Sequence, residues 1–349
     1  MTKLVLVVPA DLTKPTGGNR YDQSLAIALR QLGTPVEQRP APGRWPMATA
    51  ADRGRLGRLL HSPDPVLVDG LVACGAPREV SAAVAAGCRI HILVHLPLAL
   101  QTGLSAADAT QRQILERQAL HAATGVIATS HWAAADLGDR HGLSAVTVAS
   151  PGADPAPAAT GSTPPKLMQL ASVTPMKDQL TVVEALALAQ DLPWTADLTG
   201  LLDVDPAYTL KVRSALNRHR LTRRVRLTGP VAGVDLQRAW DAVDVLLLPS
   251  MAETWGLVVT EALARGIPAV VSVGTGAEEA LGRSANAVLP GAAVPPGSPG
   301  AVANAIRDLL GPGRDQARRA ASMRRATLRS WQQTAHDVLA ALSGQRHLA

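Results

Sequence analysis

Ser250-Met-Ala-Glu-Thr-Trp-Gly-Leu-Val-Val-Thr-Glu-Ala-Leu-Ala-Arg-Gly-Ile-Pro268 sets two carboxylates, Glu253 and Glu261, eight residues apart around a glycine turn that enters a helix. The run before it, Val243-Asp-Val-Leu-Leu-Leu-Pro249, is apolar and ended by proline, which predicts a buried strand. Ala269-Val-Val-Ser272 predicts another. Strand, loop with Glu253, helix with Glu261 and strand make one βαβ unit, and ligands of such units sit at the carboxyl ends of the strands. Both glutamates are therefore placed toward one ligand, and the helix start between them offers free N–H groups to an anion.

The chain around this unit has 349 residues, enough for two domains or one large one, and is 47% hydrophobic. No apolar run approaches the length that spans a bilayer. The opening Leu4–Val8 reads as a first strand rather than the core of a signal peptide. Cys74 and Cys88 stand in no metal or redox spacing, which predicts a reducing, cytoplasmic setting. A net charge of +6 favours acidic partners, but arginine is spread along the chain and aromatic residues are 2%, so nucleic acid is excluded as a partner. Phenylalanine is absent, and lysine occurs only at positions 3, 14, 166, 177 and 211.

Short apolar strands alternate with helical stretches through the first half. Strands are expected at Leu4–Val8, Pro65–Val68, Ile90–Val94, Gly125–Ala128 and Ala145–Val148, with helices at Tyr21–Leu32, Ala48–Leu60, Pro77–Ala86, Ser105–His121 and His131–His141. Such alternation predicts a parallel sheet with helices on both faces. Residues 151–165 hold five prolines and predict a linker or hinge. The pattern then restarts, with strands at Lys166–Ala171, Thr195–Thr199, Val225–Leu227, Val243–Leu248 and Ala269–Ser272 and helices at Leu180–Ala189, Ala207–His219, Val234–Ala242 and Leu257–Arg265. From Ala301 on the chain reads as helical, broken at Gly311-Pro-Gly313.

Four further features could bear chemistry. Gly17-Gly18 precedes a helix, where glycine lets the backbone approach a phosphate, although an ordinary turn explains it equally well; the G-x-G-x-x-G dinucleotide fingerprint is missing. His95 falls just past a predicted strand, where ligands bind, and is otherwise a structural histidine. Lys177 follows the first strand of the second half and suits a point-charge contact to a diphosphate, against the alternative of a solvated surface lysine. Asp203-Val-Asp205 is an Asp-x-Asp pattern that could hold a metal, but Pro206 behind it makes helix capping the ordinary role.

Taken together, these residues resemble the retaining glycosyltransferases of family 4 (glycosyl transferases group 1), α/β proteins of GT-B fold in which two Rossmann-like domains face each other across a cleft. Pro-x-Lys at 175–177, Gly200, Arg226-Leu-Thr-Gly229, Asp244–Ser250 and the Glu-x7-Glu at 253–261 occur in the family's order. Gly17-Gly18, His95-Leu-Pro97, Ser150-Pro-Gly-Ala-Asp154 and Ser330-Trp331 match more loosely. The resemblance implies an acceptor-binding domain over 1–155, a donor-binding domain over 165–330 and a last helix, about 331–349, that packs back on the first. It implies catalytic roles for Lys177 on the donor diphosphate, Glu253 on the donor sugar and His95 beside the transferred sugar. Glu261 would hold the ribose, the amides of Thr254, Trp255, Gly256 and Leu257 would cradle sugar and phosphate, Gly17 and Gly18 would assist at the diphosphate, and Gly229 would line the base. Where the family has an arginine five residues before the lysine, this chain has Ser172, a hydroxyl without charge. Gly274-Thr-Gly-Ala-Glu-Glu279 matches the family's Gly-Gly-x-x-Glu loop only loosely.

The implied activity is hexosyl transfer from a nucleotide diphosphate sugar to an acceptor hydroxyl on a glycan, a lipid or a small molecule, with retention and without metal or other cofactor. A nucleotide-sugar 2-epimerase of the same fold and a non-catalytic nucleotide-sugar binder are the alternatives. Arg314, Arg318, Arg319, Arg324, Arg325 and Arg329 mark a basic helical stretch, and Arg53, Arg55 and Arg58 another. Such helices could rest on the anionic inner face of a membrane, the alternative being a solvated basic face.

Overall fold

The computed structural model describes residues 3–11, 16–101 and 103–344. The chain divides into two units: residues up to Gly152 together with those from Arg329 onward, and Ala153–Leu328. Each is a Rossmann-like layer structure around one six-stranded, wholly parallel sheet.

In the first unit the order is β1 (Leu4–Pro9), α1 (Gly17–Gln31), β2 (Val36–Ala41), α2 (Ala50–Leu59), β3 (Val66–Asp69), α3 (Gly70–Ala73), α4 (Pro77–Ala85), β4 (Ile90–Val94), α5 (Ala106–Ala122), β5 (Gly125–Ala128), α6 (His131–His141) and β6 (Thr147–Val148). The second unit runs β7 (Lys166–Leu170), α7 (Gln179–Leu188), β8 (Thr195–Thr199), α8 (Pro206–Arg218), β9 (Val225–Thr228), α9 (Gly233–Asp241), β10 (Val245–Leu248), α10 (Leu257–Leu263), β11 (Ala269–Ser272), α11 (Gly276–Leu281), β12 (Gly291–Val294), α12 (Pro299–Leu310) and α13 (Arg314–Arg325). The last helix, α14 (Trp331–Ser343), belongs to the first unit, where it packs along α1. Residues 345–349 of the expected terminal helix lie outside the described residues.

The central strands are buried end to end because helices cover both faces, and alternate side chains serve opposite cores. Val245 and Leu247 of β10 join one apolar cluster with Leu167, Val182 and Trp194, while Leu246 and Leu248 join another with Met168, Trp240 and Val259. Two strands escaped the sequence reading, β2 (Val-Glu-Gln-Arg-Pro-Ala) and β12 (Gly-Ala-Ala-Val). Both are edge strands, so neither needs the apolar run that marks a buried strand.

The sheet orders place the sites. The first sheet runs β2-β1-β3-β4-β5-β6, so the direction of strand addition reverses between β1 and β3. In the second, β12-β11-β10-β7-β8-β9, it reverses between β7 and β10. At such a point the loops leaving two neighbouring strands turn to opposite faces and leave a crevice at the carboxyl edge.

The proline-rich stretch read as a linker is irregular but held within the second unit. Ala159 N–H donates to the Arg265 carbonyl at 3.0 Å and Gly161 N–H to that of Asp241 at 2.9 Å. Asp244, 3% exposed, is the anchor. Its Oδ2 accepts from the N–H groups of Ser162 (3.0 Å) and Lys166 (2.9 Å), and its Oδ1 from Arg318 (2.9 Å) and Arg314 (3.3 Å). Both arginines reach water, so removing the carboxylate falls mainly on the two backbone donors. Asp244→Ala should therefore destabilise the second unit by about 2 kcal/mol in denaturant unfolding, and Asp244→Asn, which keeps an acceptor, by less.

Candidate functional site

In the second unit two loops leave the reversal point, one after β7 and one after β10. Glutamines on either side of the first loop fix its backbone. Gln169 Nε2 donates to the Lys177 carbonyl at 2.7 Å, and Gln179 Nε2 to the Ser172 carbonyl at 3.0 Å. Gln179 Oε1 in turn accepts from Thr174 N–H at 3.2 Å. Gly200, at φ +156°, abuts the same loop; a Cβ there would lie 2.0 Å from the Ala171 carbonyl oxygen. Pro175–Lys177 form one 3-10 turn, and Asp178 (φ +48°) then caps α7 by accepting from Thr181 N–H.

The loop after β10 meets it. Met251 N–H donates to the Met176 carbonyl at 2.8 Å. Lys177 Nζ forms an ion pair with Glu253 Oε2, and Ser250 Oγ lies 3.5 Å from the same oxygen. Glu253 is 9% exposed, so its charge is tolerable because the ammonium faces it. Two glycines allow the loop its path. Gly256 stands at φ +79° ahead of α10, and a Cβ on Gly276 would fall 2.0 Å from the Thr254 carbonyl oxygen. Gly276 N–H donates to the Glu253 carbonyl at 2.7 Å.

The reversal point thus brings together Lys177, Glu253 and the backbone at Ser172. Thr254 is buried, and the Trp255 side chain packs in the core with Leu248 and Val259. Leu257 begins α10, whose half-buried fifth residue is Glu261. Gly229 follows β9, two strands from β7, with no atoms crowding it. Gln169 and Gln179 went unread in the sequence, and Gly276 was quoted there only within the loosely matching Gly274–Glu279 loop. A glutamine in a buried strand was the available signal.

In the first unit the reversal point also gathers charge. Thr16 caps α1 by accepting from Asn19 N–H, and Gly18 lies against the His95 ring, where a Cβ would stand 3.1 Å from Cδ2. His95 Nε2 is 2.9 Å from Asp22 Oδ1 on α1 and 3.6 Å from Asp69 Oδ2 at the end of β3. Asp69 Oδ1 accepts from Leu71 N–H at 2.6 Å. The Tyr21 ring meets His95 edge-on at 5.0 Å and Trp331 at 5.4 Å, while its hydroxyl donates to the Ala149 carbonyl at 2.7 Å. The loop behind His95 is held by buried Glu116, which accepts from Leu98 N–H at 3.0 Å and from His141 Nε2 at 2.9 Å.

Burial, and then the nearby Asp22, push the Asp69 carboxyl up to about 7. Burial pulls His95 down, but the charge and hydrogen bond of Asp22, with the charge of Asp69, outweigh it and raise the imidazole above its ordinary value. Asp22 and Asp69 were not singled out from sequence; an aspartate closing the apolar run Val66–Asp69 was the visible sign.

Asp205 Oδ1 accepts from Tyr208 N–H at 2.8 Å as the cap of α8, and Asp203 is exposed. Among the described residues the group with metal-ligand spacing is Asp22, Asp69 and His95. The arginines of α13 are largely engaged within their own unit: Arg314 and Arg318 on Asp244, Arg324 on the Leu281 carbonyl and Arg325 on that of Ala156. Among the described residues no helix is long and apolar enough to cross a membrane.

Residues 153–326, nearly the whole second unit, match the family model described as glycosyl transferases group 1. A D-inositol 3-phosphate glycosyltransferase of Kineococcus radiotolerans is 29% identical over 280 residues, covering 72% of this chain and 64% of the relative. The chain thus matches just under two thirds of that relative's length. Among solved structures, Anabaena HepE in complex with UDP and glucose superposes with a TM-score of 0.75 at 19% identity, covering 99% of this chain and 100% of that one. A sucrose-phosphate synthase of Thermosynechococcus elongatus gives 0.75 at 19% identity, covering 96% and 97%. The structural likenesses share the fold, the GT-B class expected from the sequence, and the match over residues 153–326 makes the second unit a member of the glycosyl transferases group 1 family.

Proposed function

We propose that the protein is a metal-independent, retaining glycosyltransferase that moves a sugar from a nucleotide diphosphate sugar to an acceptor hydroxyl. The observation that carries this reading is the Lys177–Glu253 pair at the β7/β10 reversal of a unit that matches a glycosyltransferase family. A lysine braced on its own backbone and parked against a carboxylate is a cation ready for a diphosphate. When the donor enters, the ammonium turns to the phosphate oxygens, and Glu253 exchanges that partner for sugar hydroxyls. Glu261 takes the ribose, and the backbone of Thr254–Leu257 lines the sugar and phosphate. Complexes of the structural neighbour with UDP and glucose support a donor of this class.

In the reaction the bond from the anomeric carbon to the leaving phosphate breaks, and the nucleoside diphosphate departs with the electron pair. The acceptor oxygen bonds the same face of that carbon, and its proton passes to the departing phosphate. The protein's task is electrostatic, stabilising charge as it grows on the phosphate. With Ser172 where the family has arginine, Lys177 bears more of that charge than in its relatives. Glu253, released by Lys177 when the donor enters, serves as a holder of sugar hydroxyls and not as a nucleophile.

Incubation with a panel of nucleotide sugars, using D-inositol 3-phosphate among the trial acceptors, should yield a glycoside of unchanged anomeric configuration by NMR. Lys177→Ala and Glu253→Gln should each lower kcat/KM by about a hundredfold or more while circular dichroism stays native. Wild-type turnover in both variants would overturn the assignment. A new nucleotide sugar formed without acceptor would identify an epimerase instead. Activity should also persist in excess EDTA; strict dependence on manganese would contradict the metal-independent reading.

A further inference from the structure

Asp22 and Asp69 pose a charge problem that no lysine or arginine of the described residues solves. Asp22 is fully buried and Asp69 is 4% exposed. Among the described residues, Asp69 feels the charges of Asp22 and His95, and His95 feels those of Asp22 and Asp69. Two ionised carboxylates with a neutral imidazole would leave two negative charges buried together, which costs several kcal/mol, on the order of the penalty for any uncompensated buried ion. Protons must make up the difference. Asp22 Oδ2 is buried with no hydrogen-bond partner, although Oδ1 is taken by His95. Asp69 Oδ1 is occupied by Leu71 N–H, which leaves Oδ2 as the atom that can carry a proton toward Asp22 and His95.

We propose that Asp22 and Asp69 share one proton and hold His95 as an imidazolium, its Nε2–H anchored on Asp22, so that the two aspartates are positioning residues that set the histidine's charge. Ligand atoms of Asp22, Asp69 and His95 lie within 4.8 Å of one another, and carboxyls this close ionise one at a time, as in other paired acids. The triad then holds two protons and is electrically neutral: Asp69 protonated, Asp22 negative, His95 positive. Gly18 is what lets the start of α1 close on the ring, and Tyr21 covers its edge. Resting on the transferase reading, the consequence is chemical. A protonated His95 presents a positive charge and hydrogen bonds to a substrate, and it cannot serve as the general base that deprotonates the acceptor. That agrees with a reaction in which the departing phosphate takes the acceptor proton.

The titration of His95, followed by NMR on the intact protein, tests this without any assumption about activity. Its midpoint should lie above the ordinary histidine value of about 6.5 in the wild type, and should fall in Asp22→Asn, where only the charge of Asp69 is left to oppose burial. Asp69→Asn keeps a donor toward Asp22 and should keep the midpoint elevated, which guards against a fold lost in the first variant. The carboxyl carbon of Asp69 should titrate near 7. An Asp22→Asn midpoint equal to wild type, or an Asp69 carboxyl that ionises near the ordinary value of about 4, would overturn the proposal. So would stoichiometric capture of added Zn²⁺ or Mn²⁺ by these three side chains at micromolar concentration, which would make the triad a cation site. In transfer assays Asp22→Asn should lose on the order of tenfold more activity at pH 8 than at pH 6, about the weight of a hydrogen bond to a charged group. A pH profile parallel to wild type would contradict it. If transfer itself is absent while the titrations behave as stated, the transferase reading fails and the triad stands.

Discussion

Both sheets are built outward from their first strand in one direction and then, from that same strand, in the other. β7 is followed by β8 and β9 on one side, and the chain returns to lay β10 on the other. Loops leaving β7 and β10 must therefore turn to opposite faces, and the gap between them leaves a crevice at the carboxyl edge. Lys177 and Glu253 stand on those two loops. In the first unit the reversal lies between β1 and β3; Asp22 follows β1, Asp69 ends β3, and His95 follows β4. Chemistry collects where strand order reverses.

The two units meet the same electrostatic problem in different ways. In the second, a nearly buried carboxylate is balanced by a lysine whose loop is fixed through Gln169 and Gln179, so the cation is positioned before any ligand arrives. In the first, no lysine or arginine of the described residues is set against the buried aspartates, and protons on Asp69 and His95 supply the balance. A pair that can exchange its partner for a ligand belongs where an anion binds. A triad that stores protons belongs where a charge state must be held.

Much of this was legible in the sequence, because parallel strands under two helical layers are apolar throughout and stand out against their loops. Ile90–Val94, Gly125–Ala128, Thr195–Thr199 and His131–His141 match the observed elements residue for residue. What escaped was whatever the apolar pattern does not govern. β2 and β12 lie at sheet edges and are polar or glycine-rich. The proline-rich stretch carries every local sign of a free linker, yet Asp244, more than eighty residues away from Ser162, fixes it; no local reading finds such a partner. Lys177, Glu253 and His95 could be placed at strand ends one at a time. The pairing of the first two depended on β10 returning beside β7, and the aspartates around His95 on β3 lying beside β1, neither of which is written in any single segment.

The central claim is that the β7/β10 reversal holds a nucleoside diphosphate through Lys177. Calorimetric titration of the wild type and of Lys177→Ala with the nucleoside diphosphate that binds best, and with the matching nucleoside, tests it most directly. The diphosphate should lose about tenfold or more in affinity on substitution, the weight of one charge-assisted contact, while the nucleoside is unaffected. Equal diphosphate affinity in the two proteins would contradict the account.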